Sequence, residues 1–93
     1  MSAYEGLFVL DAELDEAAAT EAVKAIQDAI TARDGTVEEL TQWGERELAY
    51  PIRKKQKGAY WLLLFNAPSS AVVELNRGYR LMEPVLRHLI VRR

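Results

Sequence analysis

The sequence has no cysteine in its 93 residues. Disulfides, thiolate metal ligands and cysteine nucleophiles are therefore excluded. A single histidine, His88, excludes a three-histidine zinc site within one chain. The five glycines form no phosphate-cradling loop, and no serine sits in a nucleophile elbow. The carboxylates are spread along the chain with no paired-acid spacing. Enzymatic chemistry thus has no foothold, and no cofactor or metal is expected. No apolar run approaches the roughly 20 residues of a membrane helix. Met1-Ser2-Ala3-Tyr4-Glu5 lacks the basic and apolar regions of a secretory signal, so a cytoplasmic protein is expected.

Hydrophobic residues make up 49% of the chain and charged residues 28%, with no internal linker. That composition predicts one globular domain spanning 1–93. The net charge of -2 conceals an asymmetry. Residues 1–45 hold eleven acids against two bases, and residues 46–93 hold ten bases against three acids. An acidic protein can still carry a strongly positive surface if those halves separate in space.

The apolar run at residues 4–10 reads as a central strand, because both of its alternating faces are apolar. Asp15 is a candidate N-cap, with Glu16 at the positive end of the helix dipole. Ala19, Ala22, Val23, Ile26, Ile30 and Arg33 then recur at helical spacing, and Gly35 offers a stop. Residues 36–50 read as a strand with a candidate bulge at Gly44, and Pro51 places it at a sheet edge or ends it. Residues 53–58 read as a basic connection. Residues 59–67 form a second apolar strand, and the two strands pair as a hairpin with the basic segment at its tip. Pro68-Ser69-Ser70 opens a second helix with Val72, Leu75, Tyr79 and Met82 on one face. Pro84 stops that helix, and residues 85–92 form the last strand.

The order strand, helix, strand, strand, helix, strand predicts an α+β fold, the ferredoxin-like βαββαβ arrangement. Right-handed crossovers put both helices on one face of a four-stranded antiparallel sheet, with the first and third strands central. The other face is then left apolar and open, which usually marks a partner surface. Which of the third strand's two faces is buried, Trp61-Leu63-Phe65 or Tyr60-Leu62-Leu64, stays open at this point.

The positive chemistry lies in Arg53, Lys54, Lys55 and Lys57, four cations within five residues at the hairpin tip. Such a cluster can neutralise phosphates and release counterions. Trp43 and Tyr50 precede it and Tyr60 and Trp61 follow it. That mixture suits RNA, whose unpaired bases stack on aromatic rings. Arg46 stands before the tip, and Arg87, Arg92 and Arg93 close the chain. His88, beside Arg87, reads as structural. The third-strand pattern of RNA-recognition motifs matches at Lys57, Gly58, Trp61 and Leu62 and fails at Ala59 and Tyr60.

A longer pattern is more specific. Tyr4-Glu5 opens the first strand, and Trp43-Gly44-Glu45-Arg46-Glu47-Leu48-Ala49-Tyr50-Pro51-Ile52-Arg53-Lys54 runs to the tip, followed by Gly58 and Tyr60. Val85-Leu86-Arg87-His88-Leu89 opens the last strand. Together these resemble the bacterial small-subunit ribosomal protein S6 family along almost the whole chain. The resemblance implies a structural ribosomal protein. It would bind the central domain of small-subunit rRNA together with the small basic ribosomal protein S18 during assembly. Carried onto this sequence, it associates Arg46, Tyr50, Lys54 and Arg87 with RNA or partner contact. Charge alone adds Arg53, Lys55, Lys57 and Arg92 to the candidates. Glu45 and Glu47 depart from the family pattern, where those positions are often basic. Two other readings use the same architecture: a stand-alone single-strand RNA binder, and a homodimeric module that binds a small regulatory molecule.

Overall fold

The computed structural model describes residues 1–93. The elements are β1 (Ser2–Asp11), α1 (Glu16–Thr31), β2 (Thr36–Ile52), β3 (Lys55–Ala67), α2 (Ala71–Leu81) and β4 (Val85–Arg92). They form one antiparallel sheet in the order β2-β3-β1-β4. This is the expected ferredoxin-like arrangement, with β1 and β3 central and β2 at an edge.

Local chemistry sets the helix ends. The Asp15 carboxylate accepts a hydrogen bond from the Ala18 backbone N–H at 2.8 Å, satisfying one orphan donor of the first turn of α1. At the other end the left-handed residue is Asp34 (φ 64°), not Gly35. Gly35 is needed for space instead: a Cβ there would lie 2.6 Å from Ile30 Cγ2 and 2.9 Å from the Asn66 carbonyl oxygen. Gly44 (φ 90°) sits where the β2–β3 register slips, so the expected bulge is present and Trp43 is the unpaired residue.

Register decides the faces, because residues paired across a ladder share one. Tyr4, Phe8 and Leu10 pair with Phe65, Trp61 and Ala59, and this face meets the helices. The core joins it to Ala22, Val23, Ile26 and Ile30 of α1 and to Ala71, Leu75 and Tyr79 of α2. Leu63 and Phe65 are fully buried, so the Trp61-Leu63-Phe65 face is the one under the helices. Phe8 meets the Tyr79 ring edge-on at 4.9 Å, and the buried Tyr79 hydroxyl donates to the Ile26 carbonyl at 2.8 Å. That bond ties α2 to α1 and leaves no buried hydroxyl unpaired.

The opposite face carries three rows across β3, β1 and β4: Leu64-Glu5-Val91, Leu62-Leu7-Leu89 and Tyr60-Val9-Arg87. Leu89 and Val91 are exposed and Leu7, Leu62 and Leu64 half-buried, but Val9 is buried. The reason is the last of three irregularities in the hairpin, after those at Glu38 and Trp43. Between the pairs Glu47–Lys57 and Ile52–Lys55, four residues of β2 oppose one of β3. The extra chain, Leu48-Ala49-Tyr50-Pro51, lies over the outer face near Val9, Tyr60 and Arg87. The outer face is therefore open over β1 and β4 but capped at the hairpin end.

Candidate nucleic-acid interface

The basic connection is shorter than its composition suggests. Only Arg53 and Lys54 form the turn, and Lys55 and Lys57 already belong to β3. Both turn residues are left-handed (φ 51° and 66°), the geometry of a two-residue type I′ hairpin. That turn normally takes Asn-Gly or Asp-Gly. Two long β-carbon side chains in its place cost about 1–2 kcal/mol each.

The eight candidate residues fall into distinct settings. Lys54 is exposed at the turn and free of any ion pair. Arg53 donates to the backbone carbonyl of Glu83 at 3.0 Å, spanning from the tip to the α2–β4 loop. Arg87, exposed on the outer face, donates to the Tyr50 hydroxyl at 2.8 Å, which joins β4 to the capping segment of the hairpin. Arg46 is exposed on β2 and bonds only to the neighbouring Glu45 carbonyl, at 3.1 Å. Arg92 is exposed at the end of β4. Lys55 is different: its ammonium binds Glu13 and lies 3.4 Å from Asp11. The hydrogen bond that Lys55 donates to Glu13, together with the charge of Asp11, holds Lys55 above the usual lysine range despite partial desolvation. Lys57 faces Glu45 at 3.6 Å. These two lysines spend their charge within the chain, so the tip presents Arg53 and Lys54 as its outward cations.

Ion pairing sorts all twelve cations in the same way. Lys24, Arg33, Lys55, Lys57 and Arg93 have carboxylate partners. Arg46, Arg53, Lys54, Arg77, Arg80, Arg87 and Arg92 have none. Helix α1 packs toward β2 and α2 toward β4, so the sequence asymmetry becomes spatial. Residues 16–52, which make α1 and β2, hold eight acids and three bases, whereas residues 71–93, which make α2 and β4, hold five bases and two acids. One side of the sheet is acidic. The other side and the hairpin tip are basic.

Sequence reasoning missed part of this basic side. Arg80 of α2 lines the same groove as Arg53 and Arg87. Its only sequence signal is a position one turn past Asn76, on the helix that flanks β4 in the fold. His88 faces the helices opposite Phe8, with Nε2 3.1 Å from Asn76 Oδ1. Burial, and secondarily the Arg80 charge, lowers its pKa. The aromatics split as well. Trp61 packs against the core, and Tyr60 lies on the outer face. Trp43 and Tyr50 are exposed.

No group of three or more His, Asp or Glu side chains is placed to hold a metal ion. No helix is long and apolar enough to cross a membrane.

Comparison with known proteins agrees with the geometry. A family model described as ribosomal protein S6 matches residues 3–92. The small ribosomal subunit protein bS6 of Caldanaerobacter subterraneus is 39% identical over 92 residues, covering 99% of this chain and 97% of that protein. That of Clostridium novyi is 40% identical over 91 residues, covering 98% and 96%. The crystal structure of ribosomal protein S6 from Thermotoga maritima superposes with a TM-score of 0.91 at 26% identity, covering 99% of this chain and 87% of that one.

Proposed function

The chain belongs to the ribosomal protein S6 family, structural and non-enzymatic proteins of the small ribosomal subunit, and from that premise we propose its specific role. It binds the central domain of small-subunit rRNA together with ribosomal protein S18 during assembly, in the cytoplasm. The observation that carries this reading is that five of the sequence candidates keep no carboxylate partner: Arg53 and Lys54 at the tip, Arg87 and Arg92 on β4 and Arg46 on β2. A chain of net charge -2 gains phosphate affinity only where its cations are not already neutralised. Arg53, Lys54, Arg87, Arg46 and Arg92 meet that condition, with Tyr50 orienting Arg87. Lys55 and Lys57 contribute less directly, by holding the tip.

The apolar rows around Leu7, Leu62, Leu64, Leu89 and Val91 support a protein partner as well. A hydrophobic surface rimmed by charge suits a protein better than RNA. A basic partner such as S18 would also be drawn to the acidic side of the sheet. The test is binding to a central-domain rRNA fragment with and without purified S18. Tight binding that requires both proteins supports the role. Equal binding by the chain alone would favour the stand-alone binder, and no binding by the folded pair would sink the reading.

A further inference from the structure

The groove between α2 and β4 gathers more arginines than the hollows of the outer face, each of which holds Arg87 alone. It is an open-sided space of about 410 Å³. Three arginines line it from three separate segments: Arg53 from the hairpin turn, Arg80 from α2 and Arg87 from β4. No carboxylate lines it. The comparable groove beside the hairpin tip, about 340 Å³, contains Glu13 and Glu45 beside Lys54, Lys55 and Lys57 and largely neutralises itself.

Two of the three guanidinium groups are also pre-positioned by neutral acceptors. Arg53 is held by a backbone carbonyl and Arg87 by a phenol. Such partners fix orientation without cancelling charge. Each guanidinium has five N–H donors, so most remain available. Arg87 stands on the outer face and Arg80 on the helix side, so the groove wraps the free edge of β4, and no carboxylate in it answers the charge of either.

We propose that the α2–β4 groove is a phosphate site that takes a backbone phosphate of the RNA, and that Arg80 is a binding residue completing it with Arg53 and Arg87. The RNA assignment rests on the function proposed above, whereas the phosphate chemistry rests on the groove alone. Arginine suits the task, because its planar fork binds two phosphate oxygens at once.

The test uses a control built into the same helix. Arg77 and Arg80 both lie on α2, are exposed and have no ion pair, but Arg77 does not line the groove. Arg80→Gln and Arg77→Gln therefore remove equal charge from one helix. In S18-dependent binding to the central-domain fragment, R80Q is expected to lose about five- to tenfold in affinity, and its log–log salt slope to shrink by about 0.7–0.9. R77Q is expected to stay within about twofold of the wild type. Equal losses for the two variants would overturn the proposal.

A second arm separates this site from the RNA reading. Inorganic phosphate is titrated into the folded chain while the His88 ring resonances, on the groove wall, are followed by NMR. A saturable shift in the wild type that R80Q abolishes supports the phosphate site even if RNA binding fails. No shift, or the same shift in R80Q, overturns it.

Discussion

Replacing Lys54 by glycine should make the protein more stable and a poorer RNA binder at once. Lys54 sits at φ 66°, where a β-carbon crowds the following carbonyl. Removing that carbon relieves about 1–2 kcal/mol. Glycine returns about 0.4–1 kcal/mol of that by widening the unfolded ensemble. The net gain is about 0.5–1 kcal/mol, or ~2–6 °C in Tm for a domain of this size. Lys54 makes no ion pair that would be lost. Lys54→Ala separates the two effects, because it deletes the ammonium but keeps the strained carbon. It should leave Tm near the wild-type value and weaken RNA binding as much as Lys54→Gly does. Calorimetry or thermal melting reads the stability, and titration of the rRNA fragment in the presence of S18 reads the binding. An unchanged or lower Tm in Lys54→Gly would show that the turn does not hold this geometry in solution. A higher Tm with undiminished binding would remove Lys54 from the interface and leave the retention of a costly turn unexplained.

Tyr79→Phe keeps the ring packed on Phe8 but deletes the hydroxyl bond to Ile26. It should cost about 0.5–1.5 kcal/mol by chemical denaturation, with an unchanged m-value, since the Ile26 carbonyl keeps a helical partner. His88 gives a pH signature of known sign. Its folded pKa is lowered, chiefly by burial, so below the unfolded value of about 6.5 the unfolded chain binds more protons than the folded one. Its contribution to stability is present above that pH and is lost as the pH falls toward the folded pKa. The Tm of wild type minus that of His88→Gln should therefore decline between about pH 7 and pH 5. A difference that rises on acidification would reverse the assignment of His88 as a residue held neutral.

The parts of this fold legible in the sequence are those set by neighbours along the chain. Asp15 and the three-and-four spacing after it define α1, because capping and amphipathicity are local properties. Pro51 and Gly44 correctly announce an edge strand and a bulge. The hairpin tip is less legible. Arg53-Lys54 carries none of the Asn-Gly signature of a type I′ turn, so the basic run reads as a six-residue connection. The structure shows a two-residue turn, because pairing to β2 draws Lys55 and Lys57 into the ladder. The inward face of β3 is not encoded locally between Tyr60 and Phe65, which are apolar on both sides. Only the positions of the helices choose between the two.

The candidate interface follows the same division. The cluster of cations is visible in the sequence, but their availability is not. Whether Lys55 or Lys54 keeps a free charge depends on Asp11 and Glu13, more than forty residues away along the chain. Arg80 is invisible for the converse reason: it becomes part of the basic surface only when α2 is laid beside β4.

The salt dependence of RNA binding tests the central claim most directly, that unpaired cations on the hairpin tip and β4 carry the phosphate contacts. The wild type and a triple variant, Arg53→Gln, Lys54→Gln and Arg87→Gln, would be titrated with the central-domain fragment and S18 across a series of salt concentrations. The wild-type affinity should fall steeply and linearly on a log–log plot, and the slope of the variant should be shallower by about 2–3. Identical slopes for two folded proteins would contradict the account, because they would place the phosphate contacts elsewhere in the complex.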